Sequence, residues 1–191
     1  MKKTLFAATL AAAVSGALAA DVTLYGVADV GLRYTNTKTD GVSTDKLEMM
    51  SGHNAGSRFG LKGSEDLGNG WKAGFLLEGQ YLVDTGALKN AKFFHRQATV
   101  SISGPLGTVY AGRMGTLSSA AGPADLIFAA GDAFDGGDNL IYALSVESRR
   151  DNTLLYVTPA AGGLQGYLQY SFQGSGQDNV QSSLNERYMG A

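Results

Sequence analysis

The chain has 191 residues, of which 27 are glycine and none is cysteine, and its formal net charge is −2. The absence of cysteine excludes a disulfide scaffold and a thiol nucleophile, and the slightly acidic balance gives no reason to expect a nucleic-acid partner. After Leu18 no segment is both long and apolar enough for a membrane-spanning helix, which needs about 20 residues.

The chain begins with the pattern of an export signal. Its first three residues include two lysines, residues 4–18 are apolar and small, and Ala-Leu-Ala at residues 17–19 has the small-x-small form of a cleavage site. The apolar run is too short for a first transmembrane helix. We therefore predict a signal peptide over residues 1–19 and a mature chain over residues 20–191.

The first mature strand is predicted over residues 21–35, where apolar and polar side chains alternate. Successive side chains of a strand point to opposite faces, so this run has one apolar face and one mixed face. The apolar positions are Val22, Leu24, Gly26, Ala28, Val30, Leu32 and Tyr34. A long polar connection is predicted to follow over residues 36–56.

A β-hairpin is predicted over residues 57–84, because two alternating arms flank a turn rich in acidic residues and glycine. The second arm alternates for about a dozen residues, longer than the usual strand of about 5 or 6. Trp71 begins this arm and Tyr81 lies near its end, which predicts that both rings lie at membrane interfaces. The hairpin alone leaves a membrane barrel and a soluble sandwich open.

Further strands are predicted around a tight turn of Gly104-Pro105-Leu106-Gly107, then over residues 152–158 and 164–172, and an eighth strand begins near Arg187. Short turns alternate with long connections, as in transmembrane barrels with short periplasmic turns. The longest connection covers about residues 114–148. It contains an apolar stretch that must be buried, so we predict that it folds back inside a barrel.

Several of these segments carry a family resemblance. They are the signal followed by VTLYG, the segments RFGLKGSEDLGNGWKAGFLLE and RQATVSISGPLGTVYAGR, the apolar long connection, and Asp151-Asn152 before a strand. Together they closely resemble the general porins of Gram-negative outer membranes, in particular the group from β-proteobacteria and Neisseria. The resemblance covers essentially the whole chain but only the first half of such a porin, so we expect an N-terminal part of the protein.

The resemblance implies an all-β fold, a transmembrane antiparallel β-barrel of sixteen strands, of which about seven to eight are present. It implies a homotrimer in outer-membrane lipid and lipopolysaccharide, and a water-filled channel for passive diffusion of ions and small hydrophilic solutes. It implies no enzymatic activity, no cofactor and no metal. The third external loop would fold inward and narrow the pore.

The resemblance also implies a pore constriction with a basic wall opposite an acidic loop, which would produce a transverse field. By position, the basic wall is Arg33, Arg58, Lys62, Arg96 and Arg113, and the acidic loop contributes among Asp125, Asp132, Asp135 and Asp138. Alternation directs Arg33, Arg58 and Lys62 toward the lumen, but Arg96 shares its parity with Val100 and Ile102. Either a bulge resets the register there, or that face packs on a neighbouring subunit.

Two other classes of protein compete with a channel. A secreted β-sandwich binding module, such as a lectin or adhesin, would also have a signal and alternating strands, but its strands would be about half as long. A barrel enzyme would need a nucleophile and a base on adjacent strands, and neither His53 nor His95 has a suggestive serine neighbour in sequence. The two histidines also lack the spacing of metal ligands.

Overall fold

The computed structural model describes residues 21–117, 123, 149–173 and 186–191, and this part of the chain is built from β-strands. Eight strands form one sheet and two more form a separate hairpin. The described residues contain no helix long and apolar enough to cross a bilayer. The prediction of an all-β antiparallel fold is confirmed, while the predicted signal peptide, residues 1–19, lies outside the described residues.

The ten strands are β1 (Asp21–Val27), β2 (Val30–Thr39), β3 (Val42–Ser51), β4 (Arg58–Gly68), β5 (Trp71–Gln80), β6 (Gln97–Gly104), β7 (Gly107–Gly115), β8 (Arg149–Val157), β9 (Tyr167–Ser171) and β10 (Tyr188–Gly190). The main sheet has the order β1-β4-β5-β6-β7-β8-β9-β10, and every neighbouring pair is antiparallel. Its seven strands and short β10 match the predicted seven strands and start of an eighth.

The predicted hairpin over residues 57–84 is confirmed as β4 and β5, joined by Asn69 and Gly70. The second tight turn is also confirmed, because Pro105 and Leu106 alone separate β6 from β7. Residues 81–96 connect β5 to β6, and residues 116–148 connect β7 to β8. Short turns therefore lie at one end of the sheet and long connections at the other, as the sequence predicted.

Residues 36–56 lie, as predicted, in the connection between two strands of the main sheet, but the strands within it were not predicted: β2 and β3 form a hairpin of ten residue pairs, from Val30↔Ser51 to Thr39↔Val42. Its turn is Asp40-Gly41, with φ of 50° and 82°. Two consecutive positive φ angles are the mark of a type I′ turn, whose twist matches that of paired strands. The single strand predicted over residues 21–35 is accordingly interrupted at residues 28–29.

Asp29 anchors the base of this hairpin. Its carboxylate accepts hydrogen bonds from the backbone N–H groups of Ala55 (2.8 Å), His53 (2.9 Å) and Asn54 (3.1 Å). These N–H groups, that of Ala55 foremost, hold the pKa of the Asp29 carboxyl below its usual value. The Ser57 hydroxyl donates to the Asp29 carbonyl oxygen at 2.9 Å, which fixes the chain where it enters β4.

The two faces of the main sheet differ sharply in chemistry. The apolar face presents large hydrophobic side chains that are between 42% and 72% exposed: Val22, Leu24, Val100, Ile102, Val109, Leu154 and Leu168. The register aligns the alternate residues on the opposite, polar face, which includes Thr23, Tyr25, Lys62, Glu78, Gln97, Thr99 and Ser101. A soluble sheet buries its hydrophobic face, so this exposure indicates a sheet whose apolar face meets another apolar medium.

Candidate functional site

A groove of about 530 Å³ runs along the polar face across β1, β4, β5 and β6. Its lining combines apolar surface with polar side chains, among them Asp21, Thr23, Lys62, Thr99 and Ser101. Strand alternation places the polar side chains of these strands on the same face, so Thr23, Lys62, Thr99 and Ser101 meet in the groove. The polar part of the groove therefore follows from the alternation read from the sequence.

Glu78 on β5 lies at the centre of a group of polar and charged side chains on this face. We call this group the Glu78 cluster: Tyr25, Arg58, Glu78 and Arg96. The Tyr25 hydroxyl donates to Glu78 Oε2 at 2.8 Å, and Arg96 Nε donates to Glu78 Oε1 at 2.5 Å. Arg58 Nε lies 3.8 Å from Glu78 Oε2. The Glu78 side chain is only 15% exposed, so these interactions are screened less than those of a surface pair.

Arg58 and Lys62 both lie on β4 with their side chains on the polar face, the orientation that the alternation predicted. Lys62 Nζ is 5.6 Å from the centroid of the Tyr25 ring, within the range of a cation–π contact. Tyr25 therefore contacts Lys62 through the face of its ring and Glu78 through its hydroxyl. Glu78 in turn lies beside Arg58.

Arg96 reaches the polar face in a way that neither sequence-based alternative anticipated. It precedes β6, which begins at Gln97, so strand alternation does not determine its direction. Its backbone N–H donates to the Glu78 carbonyl oxygen at 3.1 Å, and its guanidinium then bonds the Glu78 carboxylate. Because β6 begins only at Gln97, the strand alternation that orients Val100 and Ile102 does not extend to Arg96.

Arg113 on β7 lies in a second group, which we call the Asp151 cluster: Lys92, Arg113 and Asp151. Arg113 Nη1 donates to Asp151 Oδ1 at 2.6 Å, and Lys92 forms an ion pair with the same carboxylate. Arg113 is also the residue at a bulge, since the pairs Gly112↔Thr153 and Met114↔Arg150 leave it opposite two residues of β8. Asn152 has a φ of 50° at this point.

His95 and Arg149 lie between the two clusters. Arg113 Nε donates to the His95 carbonyl oxygen at 2.6 Å, and Arg149 Nε donates to the Arg96 carbonyl oxygen at 2.8 Å. His95 is buried, and burial together with the nearby charges of Arg149, Arg96 and Arg113 lowers its pKa to about 4. It is therefore neutral at pH 7.

Arg33 is the one predicted basic residue that lies on the separate hairpin. Its Nε donates to Glu48 Oε1 at 2.8 Å across the β2–β3 ladder, and its side chain is 48% exposed. The main sheet, which carries Arg58, Lys62 and Arg113, contains neither β2 nor β3. The structure thus does not bring Arg33 together with the other predicted members of the basic wall.

The four predicted acidic residues of the long connection lie outside the described residues: Asp125, Asp132, Asp135 and Asp138. Two described parts of that connection lie on the polar face. The Leu117 N–H donates to Gln169 Oε1 of β9 at 3.0 Å, and the Gln169 amide donates to the Gly115 carbonyl oxygen at 2.7 Å. Pro123 lines the groove beside Lys62 and Thr99.

Trp71 begins β5 and Tyr81 directly follows its last residue, so the two rings mark opposite ends of that strand. The Tyr81 and Phe59 rings are 6.3 Å apart, and Phe93 and Phe94 from the β5–β6 connection pack on the same Phe59. The position of Trp71 and Tyr81 at the two membrane interfaces stays a prediction.

Sequence reasoning missed Tyr25, Glu78, Asp151 and Arg149. The sequence could have pointed to Glu78, because it lies on the polar parity of β5 and its neighbours on that parity, Leu76 and Gln80, are uncharged. Its contact with Tyr25 could not be predicted, since the two residues lie 53 positions apart and meet only once β1 pairs with β4.

An all-β sheet that exposes an apolar face and carries paired charges on the other defines the wall of a membrane-spanning barrel. The model of the Gram-negative porin family matches residues 7–191, so the chain belongs to that family. Its relatives are outer-membrane proteins, which places the chain in the Gram-negative outer membrane.

Three proteins illustrate the similarity. An outer membrane porin protein of Bordetella pertussis is 35% identical and aligns with 93% of this chain and 50% of its own length. Outer membrane porin protein 32 of Delftia acidovorans is 35% identical over 100% of this chain and 55% of its own length. The solved anion-selective porin from Comamonas acidovorans matches with a TM-score of 0.59 and 32% identity, over 90% of this chain and 52% of that one.

The chain spans about half the length of the curated relatives it matches. Membership of the porin family favours a channel over the secreted β-sandwich module that the sequence had left open. The relatives from Bordetella pertussis and Delftia acidovorans are both named porins.

Proposed function

We propose that the full-length protein forms a water-filled channel for passive diffusion of ions and small hydrophilic solutes. The observation that carries this proposal is the division of one sheet into an exposed apolar face and a polar face with a groove. Lipid would cover the apolar face, and water would fill the space in front of the polar face. Solutes would be selected by size and by the electric field of the wall.

Arg58, Lys62 and Arg96 form the basic wall in this proposal, since all three have charged groups at the polar face. They would favour anions, and Glu78 would offset part of their charge. The name of the anion-selective porin from Comamonas acidovorans agrees with this direction. The roles predicted for Arg33 and Arg113 stay predictions, because these residues form ion pairs outside the Glu78 cluster. Arg33 pairs with Glu48 and Arg113 with Asp151.

The long connection after β7 would narrow the passage. Support comes from Leu117 and Pro123, which lie on the polar face at two points of that connection. Asp125, Asp132, Asp135 and Asp138 would then supply the acidic side of a transverse field, opposite the basic wall. The field would order water and align small dipolar solutes.

Assembly as a homotrimer in outer-membrane lipid and lipopolysaccharide is part of the same proposal. It draws on the family resemblance and on the aromatic group around Phe59 at the end of the sheet that carries the long connections. Phe93 in that group is 52% exposed and would gain from burial in lipid or against a neighbouring subunit.

Planar-bilayer conductance of the full-length gene product, refolded in detergent, tests the proposal. Stepwise ohmic channels that close in threes at high voltage are expected, together with swelling of vesicles in small sugars but not in large ones. The detergent alone is the control. A folded full-length product without channels would contradict the proposed function.

A further inference from the structure

A recess of about 520 Å³ lies in the apolar face of the main sheet, across β4, β5, β6 and β7. Its volume falls within the range of ~300–1,000 Å³ that is typical of sites for small molecules. The register places its side chains in two rows of direct cross-strand neighbours. The row nearer the short turns is Glu65, Ala73, Ile102 and Val109, and the next row is Gly63, Phe75, Val100 and Ala111. The recess therefore belongs to the face that lipid would cover.

Two aromatic rings of β5 lean away from each other beside this recess. A Cβ added at Gly63 would come within 2.5 Å of the Phe75 ring, so that ring lies over β4. A Cβ added at Gly104 would come within 2.5 Å of the Trp71 ring, which therefore lies over β6. Ala73 stands between the two aromatic residues on the same face and is too small to fill the space. If the recess stayed empty, its lining would lose dispersion contacts.

Glu65 places a carboxylate at the rim of the recess. It is exposed, and the ion pairs among the described residues do not include it. The basic residues of β4 and β5 are Arg58, Lys62 and Lys72, and all three stand on the polar parity. A carboxylate at the edge of an apolar face is costly unless a cation pairs with it. That cation must come from outside this hairpin.

We propose that the recess binds one phospholipid with a primary ammonium headgroup, of the phosphatidylethanolamine class. One acyl chain fills the space beside Ala73, and the ammonium group donates a hydrogen bond to the Glu65 carboxylate. The inference rests on the proposed function, because it requires the apolar face to meet lipid. The depth agrees, since Glu65 pairs with Ala73, two residues inside Trp71, whose ring is predicted at the interface. Short turns of membrane barrels face the periplasm, so the lipid belongs to the periplasmic leaflet.

The charge of Glu65 separates this lipid from other occupants. A phosphatidylglycerol headgroup is anionic and is repelled by the carboxylate, and a choline headgroup has no N–H to donate. A second copy of the chain would have to bring an apolar side chain and a cation to the same point. The aromatic group proposed for subunit contact lies at the opposite end of the sheet, around Phe59 and Phe93. An ammonium lipid supplies the apolar chain and the cation in one molecule.

Trp71 is the one tryptophan of this chain and reports on the recess beside it. The full-length protein, with any further tryptophan replaced by phenylalanine, would be placed in phosphatidylcholine vesicles that contain lipids with brominated acyl chains. Brominated phosphatidylethanolamine should quench Trp71 at an about fivefold lower mole fraction than brominated phosphatidylglycerol, the effect of one attractive and one repulsive charge at a partly exposed site. Glu65→Gln should make the two lipids equal. Asp66→Asn, the same change one residue away on the polar parity, is the matched control and should keep the preference.

Filling the recess gives a second, independent test. Ala73→Leu should abolish the preferential quenching, because its side chain occupies the space of the acyl chain. Ala98→Leu makes the same change on β6 outside the recess and should quench like the parent. Equal quenching of the parent by both brominated lipids would overturn the inference, and so would absence of quenching because a second copy covers the recess. Both outcomes leave channel conductance intact, whereas absence of channels from the parent would contradict the proposed function.

Discussion

The two faces of the main sheet are made by the same strands, yet they obey opposite rules. On β6, Val100 and Ile102 are 61% and 48% exposed on the apolar face, while Thr99, the residue before Val100, is buried on the polar face. In a protein surrounded by water the hydrophobic residues would be the buried ones. The surroundings of this sheet are therefore the reverse of those of a soluble protein, with lipid against the apolar face and a polar interior in front of the other face.

A single charge introduced on the apolar face should have the largest effect on stability. Val100→Arg should destabilise the folded barrel by about 2–4 kcal/mol, the range for a basic residue near the middle of a lipid-facing strand. Urea unfolding of the full-length protein in lipid vesicles measures this loss.

The neighbouring substitution Ser101→Arg is the control, because it places the same side chain one residue away on the polar face, where Ser101 lines the groove. It should change stability little and alter conductance instead. Equal destabilisation by both substitutions would contradict the assignment of the two faces.

The polar face can be changed without affecting the apolar one. Arg58→Glu replaces a positive by a negative charge beside Glu78 and should lower the ratio of anion to cation permeability about tenfold, as expected for a change of two unit charges in partly screened water. The reversal potential under a salt gradient measures the ratio.

Lys38→Glu makes the same reversal on the β2–β3 hairpin, which is not part of the main sheet. It should leave the ratio near that of the parent. A reversal potential that Arg58→Glu does not move would remove Arg58 from the ion path.

The smallest expected effect concerns His95, at the connection where the Glu78 and Asp151 clusters meet. The groups that act on it are Arg149, Arg96, Arg113 and Glu78, and burial with the three arginines lowers its pKa from 6.5 to about 4. Above pH 6.5 His95 is neutral in both the folded and the unfolded chain. Between pH 6.5 and 4 only the unfolded chain takes up the proton, so stability falls as the pH falls.

Thermal unfolding of the full-length protein between pH 8 and 4 measures this dependence. His95→Gln should lose part of the fall in melting temperature across that window, because it removes the group that titrates. His53→Gln, which removes an exposed imidazole from a turn, is the control and should keep the parent profile. Identical profiles for the parent and His95→Gln would show that His95 does not contribute.

The sequence was sufficient for the features that depend on local patterns. Alternation in β4 and β5 predicted both faces, and Gly104-Pro105-Leu106-Gly107 predicted a turn, because strand period and turn chemistry are local. It failed at residues 36–56, where Asp40-Gly41 is a type I′ turn signal between two strands whose side chains are mostly polar. A hairpin outside the main sheet does not need an apolar face, so hydrophobic alternation did not reveal these two strands.

The candidate site was predicted only in part for a related reason. Arg58 and Lys62 were found because alternation fixes their face. Glu78 and Tyr25 were missed, because their role depends on a ladder that joins residues 53 positions apart. Arg96 was assigned to the wall by resemblance, but its geometry depends on where β6 begins, a boundary that parity cannot give.

The most direct test of the two-faced wall uses the absence of cysteine from this chain. Single cysteines would be introduced at residues 98–103 of the full-length protein in lipid vesicles, with any further cysteine replaced by serine. Each variant would be exposed to a charged, membrane-impermeant thiol reagent. We expect rapid modification at positions 101 and 103, whose parent side chains are partly exposed on the polar face, and protection at 98, 100 and 102 in lipid and at 99, where the parent threonine is buried. Uniform reactivity along all six positions would contradict a wall with water on one side and lipid on the other.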